Sequence, residues 1–403
     1  MIYRPLLVLF ILLFGTLGTF AVCSDREGPL VSMIPAGKED AAKTPLILIH
    51  GHEGVPDDAD INADAHYWDA LLAAFENDKQ AAARFTPYLF QYCSDREPVS
   101  VLAERLRDLI DDRLPDRSHV IVAHSMGGII ATAYMAETVH RSGQWKGKKG
   151  GDTTLGLITL ATPHHGTPAA NDTETMSKFV PASLNAAYDA LHRIYWRSGP
   201  AATAANRSDL RWDNFDRKLS ISSTDINTAL ARRNAAFAPY SSKLIAYSGI
   251  VSPTLSSFEL AAMLLDLKFG SGSDNRHRML ALANVGLVNA LGKRFGDADG
   301  MVPISSSLFC VAGTVSKSVK KDLVCTTLSR VRRFEAGSES EVRTADLPDN
   351  STLSITRRPH GFDHLDMLVD PLVIDHVLKD MLGSFSTQPV KAKPQKPERK
   401  RII

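Results

Sequence analysis

Short, continuous apolar runs recur along the chain. Pro45 to Gly51 (PLILIHG), His119 to Ala123 (HVIVA) and Leu155 to Ala161 (LGLITLA) share the pattern, and Lys243 to Ile250 follows it more weakly. Apolar residues at successive rather than alternate positions have both faces of the strand covered, as in a parallel sheet. Between the first two runs, Val99 to Leu114 places Leu102, Leu106, Leu109 and Ile110 on one face of a helix. Strands alternating with helices predict an α/β architecture built on a mostly parallel sheet flanked by helices.

The rhythm breaks after Thr162-Pro163. Roughly eighty residues rich in Ala, Ser and Asn precede the next strand, far more than a simple connection needs. Within them Leu184, Tyr188, Leu191 and Tyr195 form a helical stripe, and a second insertion carries LSSFELAAMLLDLKFG and MLALANVGLVNAL. These segments are either additional core helices or a cap whose apolar face meets lipid or substrate. The expected organisation is one domain over residues 40–385, with cap insertions at about 167–240 and 252–295. The stretch 386–403 is rich in Pro, Lys and Arg without periodicity and reads as a disordered basic tail, solvated rather than bound to anionic membrane.

The N-terminus changes the picture of where the chain works. Residues 1–22 hold one early charge, Arg4, ahead of an uncharged apolar run, with Thr19-Phe20-Ala21 as a small-x-small cleavage site. This pattern predicts export to the periplasm or medium, or retention through an N-terminal membrane anchor. The four cysteines are compatible with an oxidising compartment, where Cys310 and Cys325 could close a disulfide and Cys93 would stay free or pair with Cys23. Forty-six basic against forty-five acidic residues leave a net charge of +1, so no global field favours nucleic acid. No Cys/His cluster suggests zinc, and neither a metal nor an organic cofactor is expected.

The chemistry concentrates at Ala123-His124-Ser125-Met126-Gly127. A serine exposed on a sharp turn between a strand and a helix needs small residues two before and two after it, because the two backbones crowd there. Ala123 and Gly127 supply them, and GGIIATAYMAETV continues as a helix former. Together ILIHGHEG, VIVAHSMGG and LATPHHGTP resemble the α/β-hydrolase fold serine lipases and esterases, in the branch of bacterial secreted lipases and lecithin-cholesterol acyltransferase-like enzymes. The resemblance covers the sheet, about half of the chain, and implies an α/β-hydrolase fold with helical cap or lid insertions. It also implies an oxyanion hole made by the backbone N–H groups of His52 and Met126.

In this fold the order of the site is serine, acid, histidine. GDADGMVPISS offers two acids; Asp299 precedes Val302-Pro303 as in the acid loop of such lipases, and Asp297 is the alternative. SITRRPHGFDHLDML offers His364, which resembles the family's histidine loop, with His360 as the alternative. Asp366, two residues after His364, is where some secreted lipases bind calcium, but a second carboxylate for such a site is not evident. Ser125, Asp299 and His364 would cleave a carboxylic ester through an acyl-enzyme. Export and apolar insertions favour a lipid or long-chain acyl ester, with peripheral membrane contact. Acyl transfer, thioester or peptide hydrolysis on the same residues, and a non-catalytic binding protein on a hydrolase fold are the alternatives. Oligomeric state is not readable from the sequence.

Overall fold

The computed structural model describes residues 31–52, 63–92, 94, 97–170, 208–212, 228–251, 298–311, 326–327, 330–336, 353–358 and 361–385. The N-terminal segment, the helical stripe at 184–195, the insertion at 252–295, the basic tail, Cys23, Cys93 and Cys325 lie outside them. In chain order the main elements are β1 (Val31–Pro35), β2 (Thr44–Ile49), α1 (Ala63–Asn77), α2 (Lys79–Arg84), β3 (Phe85–Tyr92), α3 (Val99–Arg113) and β4 (His119–His124). They continue with α4 (Met126–Glu137), β5 (Thr154–Leu160), α5 (Thr228–Phe237), β6 (Leu244–Gly249), β7 (Arg330–Ala336), β8 (Leu353–Arg358) and α6 (Pro371–Ser384).

The four apolar runs are β2, β4, β5 and β6, with bounds within two residues of those read from the sequence. They lie side by side in an eight-stranded sheet of order β1-β3-β2-β4-β5-β6-β7-β8, in which only β1 is antiparallel. Successive residues feed opposite layers. Ile47, Ile49, Ile121 and Ala123 pack with α3, α4 and α5, whereas Leu46, Leu48, Val120 and Val122 pack with α1, α2 and α6. Both layers exclude water, so the runs are apolar at nearly every position, and the Thr159 hydroxyl buried within β5 is paired with the His164 ring at 3.2 Å. On α3, Leu102, Leu106 and Ile110 are buried and Leu109 packs beside them, as its period predicts.

Four elements ahead of β4, namely β1, α1, α2 and β3, were not apparent as patterns. β1 is a short edge strand. β3 carries Pro87, which cannot donate to a sheet ladder. The strand tolerates it because β1 runs out there: the pairing ends at Pro35 opposite Tyr88, and the Pro87 carbonyl accepts from Ala36 N–H at 3.0 Å. The helix α1 begins at Ala63, within the acidic stretch VPDDADINAD at 55–64, whose residues 55–62 lie outside the described set. At the end of the first insertion, α5 is built into the core through Leu230 and Phe237.

This topology positions a site. From β2 the chain crosses to β3 on one side, and then returns to β4 on the other, with the intervening helices on opposite faces. The loops leaving β2 and β4 therefore diverge and open a crevice at the carboxyl ends of the strands, the switch point where open α/β sheets bind ligands. Gly51 and Ser125 are the residues that stand there.

Candidate active site

Ser125 is the single residue between β4 and α4, at φ 52° and ψ −127°. L-residues rarely adopt positive φ, and holding one there costs about 1–3 kcal/mol unless the surroundings impose it. They do so on both sides. Ser125 N–H donates to the Leu160 carbonyl of β5 at 2.9 Å, and α4 starts at once, buried from Met126 to Ala136. A Cβ on Gly127 would lie 2.3 Å from the His50 carbonyl oxygen, so only glycine lets α4 approach the end of β2 so closely. A Cβ on Gly51 would come within 2.8 Å of the Ser125 Cβ, so the loop after β2 passes directly against the serine. Ala123, where the commoner pattern has glycine, is buried without an exposed atom in the layer beneath α4.

The acid and histidine loops meet beyond the end of β6. Val251 N–H donates to the Ala298 carbonyl at 3.0 Å, and Phe362 N–H donates to the Ile250 carbonyl at 2.9 Å. Asp299 is fully buried; its Oδ1 accepts from Met301 N–H at 2.9 Å and Val302 N–H at 2.7 Å. Its Oδ2 accepts from His364 Nδ1–H at 2.7 Å, and its backbone carbonyl accepts from His364 N–H at 3.0 Å. With Nδ1 donating to Asp299, Nε2 is the ring nitrogen that can present a lone pair. His364 is itself held in a turn capped from both ends. Asp363 Oδ1 accepts from Leu365 N–H and Asp366 N–H, and Asp366 Oδ2 accepts from Asp363 N–H.

Residues 46–291, more than half of the chain, match the profile of the Alpha/beta hydrolase family. The chain belongs to the alpha/beta hydrolase family. Among solved structures, the lipase BlEst2 of Bacillus licheniformis in its propeptide form is similar at 15% identity and a TM-score of 0.40, over 89% of this chain and 54% of that one. The chain thus spans about half the length of that protein. EstA from Clostridium botulinum is similar at 12% identity and a TM-score of 0.39, over 95% and 98% of the two chains. A thermophilic esterase from Thermogutta terrifontis is similar at 13% identity and a TM-score of 0.34, over 88% and 94%. No curated protein matches the chain.

Of the alternative site residues, Asp297 and His360 lie outside the described set, and the acid and histidine brought together are Asp299 and His364. Among the described residues no hydrogen bond joins Ser125 Oγ to His364 Nε2, a contact that unliganded enzymes often hold long and close on substrate. His364 is nevertheless fastened to the elbow, because its carbonyl accepts from Nε2–H of His124, the neighbour of Ser125, at 3.0 Å. His52 follows Gly51 in the loop that lies against the serine, and Met126 opens α4 directly behind it.

Burial keeps three histidines of the loops after β2 and β5 neutral. Desolvation lowers His50 and His52 to about 4 and His164 to about 3. His50 stacks on Tyr92 with ring centroids 4.0 Å apart and donates from Nδ1 to the Gly51 carbonyl at 2.8 Å, while its own carbonyl accepts from the Tyr92 hydroxyl at 2.6 Å. These bonds immobilise the glycine that faces Ser125. Ser306 Oγ accepts from His165 N–H and donates to the Gly166 carbonyl, so the LATPHHGTP loop is tied to the acid loop. Asp366, the candidate calcium residue, has one oxygen on Asp363 N–H. Among the described residues no group of three or more His, Cys, Asp or Glu side chains is arranged to hold a metal ion. Nor is any helix among them long and apolar enough to cross a membrane. Tyr67, on α1, was missed in the sequence: it lies fifty-seven residues before His124, whose Nδ1 it meets at 2.5 Å, and no local pattern marks so distant a contact.

Proposed function

We propose that this hydrolase cleaves carboxylic esters through an acyl-enzyme on Ser125, with lipid or long-chain acyl esters as the favoured substrates. The observation that supports the reading is the 2.7 Å bond from His364 Nδ1–H to the buried Asp299, joined to an elbow whose serine is strained at φ 52°. In this scheme Ser125 Oγ attacks the ester carbonyl carbon and its proton passes to His364 Nε2. Asp299 keeps the ring in the tautomer that can accept and offsets the charge it acquires. The N–H groups of His52 and Met126 receive the oxyanion, where each such donor is worth roughly 10²–10³ in rate. Collapse of the tetrahedral intermediate breaks the carbon–oxygen bond, and the leaving alkoxide takes the proton from His364. Water then attacks the acyl-serine with His364 as base, releasing the acid and restoring the Ser125 hydroxyl.

The triad does not select the acyl chain; the surrounding pocket does. The preference for lipid rests on the apolar stretches at 252–295, read as cap, and the apolar N-terminus, read as an export signal or anchor. Hydrolysis of p-nitrophenyl esters from acetate to palmitate by the wild type and by Ser125→Ala tests both levels. Turnover that rises with chain length and vanishes in Ser125→Ala is expected. A preference for acetate would remove the lipid reading and keep the esterase, whereas undiminished turnover in Ser125→Ala would remove both. New ester on adding an acceptor alcohol would reassign the reaction to acyl transfer.

A further inference from the structure

We propose that Tyr67 and His124 are positioning residues that lock the Gly51 loop and the His364 loop to the Ser125 elbow through one directional chain of hydrogen bonds. The inference rests on the reading of Ser125 and His364 given above. The direction of the chain follows from its chemistry. His124 is buried, 1% exposed, and its Nε2 stands 3.0 Å from the His364 carbonyl, which can only accept; Nε2 must therefore carry the proton. A neutral imidazole holds one proton, so Nδ1 presents a lone pair. Tyr67 Oη, 2.5 Å from Nδ1, must then be the donor. Having donated its proton, the same oxygen accepts from Gly51 N–H at 3.0 Å. The chain reads Gly51 N–H to Tyr67 Oη, Tyr67 O–H to His124 Nδ1, His124 Nε2–H to the His364 carbonyl.

Each link uses a group once and in the same sense, so the bonds polarise one another in a dry environment. Burial, followed by the neighbouring His364, holds the His124 pKa well below the usual histidine range, which keeps the tautomer single. The two rings also touch, with centroids 4.6 Å apart and planes inclined at 55°. Tyr67 lies on α1, Gly51 after β2, His124 at the end of β4 and His364 beyond β8; the sheet holds the ends of β2 and β4 side by side, and the hydrogen-bond chain adds a side-chain tie from them to α1 and to the His364 loop. A misplacement of about 1 Å between reacting groups costs around a hundredfold in rate, which is what such a tie prevents. The residue before the serine acts here through its ring on the histidine loop, and not on substrate.

A fluorophosphonate probe tests this without knowledge of the natural ester. Ser125 Oγ would attack phosphorus, its proton would pass to His364, and fluoride would leave. In the full-length Tyr67→Phe variant, which keeps the ring and removes the hydroxyl, the maximal rate of labelling is expected to fall about tenfold or more. The probe concentration for half-maximal rate should stay within about twofold of wild type, because positioning alters the reactive alignment rather than binding. His124→Gln retains an amide that accepts from Tyr67 and donates to the His364 carbonyl; it should label faster than His124→Ala, which has neither. A merely structural role would lower the melting temperature without that split or that rescue. Tyr67→Phe labelling at the wild-type rate, or equal rates for His124→Gln and His124→Ala, would overturn the inference while leaving the serine reading intact. A wild type that does not label, or a Ser125→Ala variant that labels equally, would overturn the serine reading and this one with it.

Discussion

Ser125 and Asp299 carry predictions that separate stability from chemistry. The serine's backbone, at φ 52° and ψ −127°, suits glycine better than any side chain. Ser125→Gly is therefore expected to melt higher than Ser125→Ala, by the equivalent of about 1 kcal/mol, with both variants losing ester turnover by at least about a thousandfold. Calorimetry of the two variants checks the first part; equal melting temperatures would mean that the turn is unstrained. Asp299→Asn keeps the shape of a side chain that accepts from Met301 N–H, Val302 N–H and His364 Nδ1–H. Its amide favours the wrong histidine tautomer, so kcat should fall by about 10⁴ with little change in melting temperature. At this scale the sequence already showed a serine between small residues, followed by an acid loop and a histidine loop in the order the chemistry needs. Which acid and which histidine pair was not legible, because Asp297 stands two residues from Asp299 and His360 four from His364 in the sequence, and a 2.7 Å contact is made across sixty-five residues.

Elements are where close packing decides. Gly127 lets α4 sit 2.3 Å from the His50 carbonyl as measured from a notional Cβ, and that neighbour is backbone that cannot swing away. Gly127→Ala should push α4 off β2, cost about 1–3 kcal/mol in chemical denaturation and displace the loop that carries His52. Retained stability with retained activity would show that the contact is looser than it stands. The turn of His364 makes a second case. Asp363 Oδ1 satisfies two backbone donors there, and Asp363→Ala should cost about 1 kcal/mol and lower kcat more than it raises KM, as steady-state kinetics on a p-nitrophenyl ester would show. The buried strands and α3 were legible because each is a dense apolar signal within a few residues. β1 and β3 were not: one is a five-residue edge, and the other hides behind Pro87, whose tolerance depends on where its neighbour ends.

Across the whole molecule, burial of histidines sets how stability responds to acid. His50, His52 and His119 are held at about 4, His164 at about 3, and His124 well below its ordinary value, all chiefly by desolvation. In the unfolded chain each titrates near 6.5. Between about 6.5 and 4 the unfolded state binds protons that the folded state refuses, so stability is full above 6.5 and falls as the pH drops through that window. The melting temperature should accordingly be level from about pH 8 to 7 and decline steeply from 6.5 towards 4; a level profile down to pH 5 would show that these rings are solvated. The sequence by itself determined the architecture, since runs apolar at nearly every position can be buried only between two helical layers, and it marked the sharp turn at Ser125, since small residues on both sides let strand and helix crowd there. Only the tertiary structure decided which acid meets which histidine, that Gly51 lies against Ser125, and that Tyr67 reaches His124. Such contacts join segments far apart in the chain, and their distances are set by how the layers pack rather than by any local preference of the residues that make them.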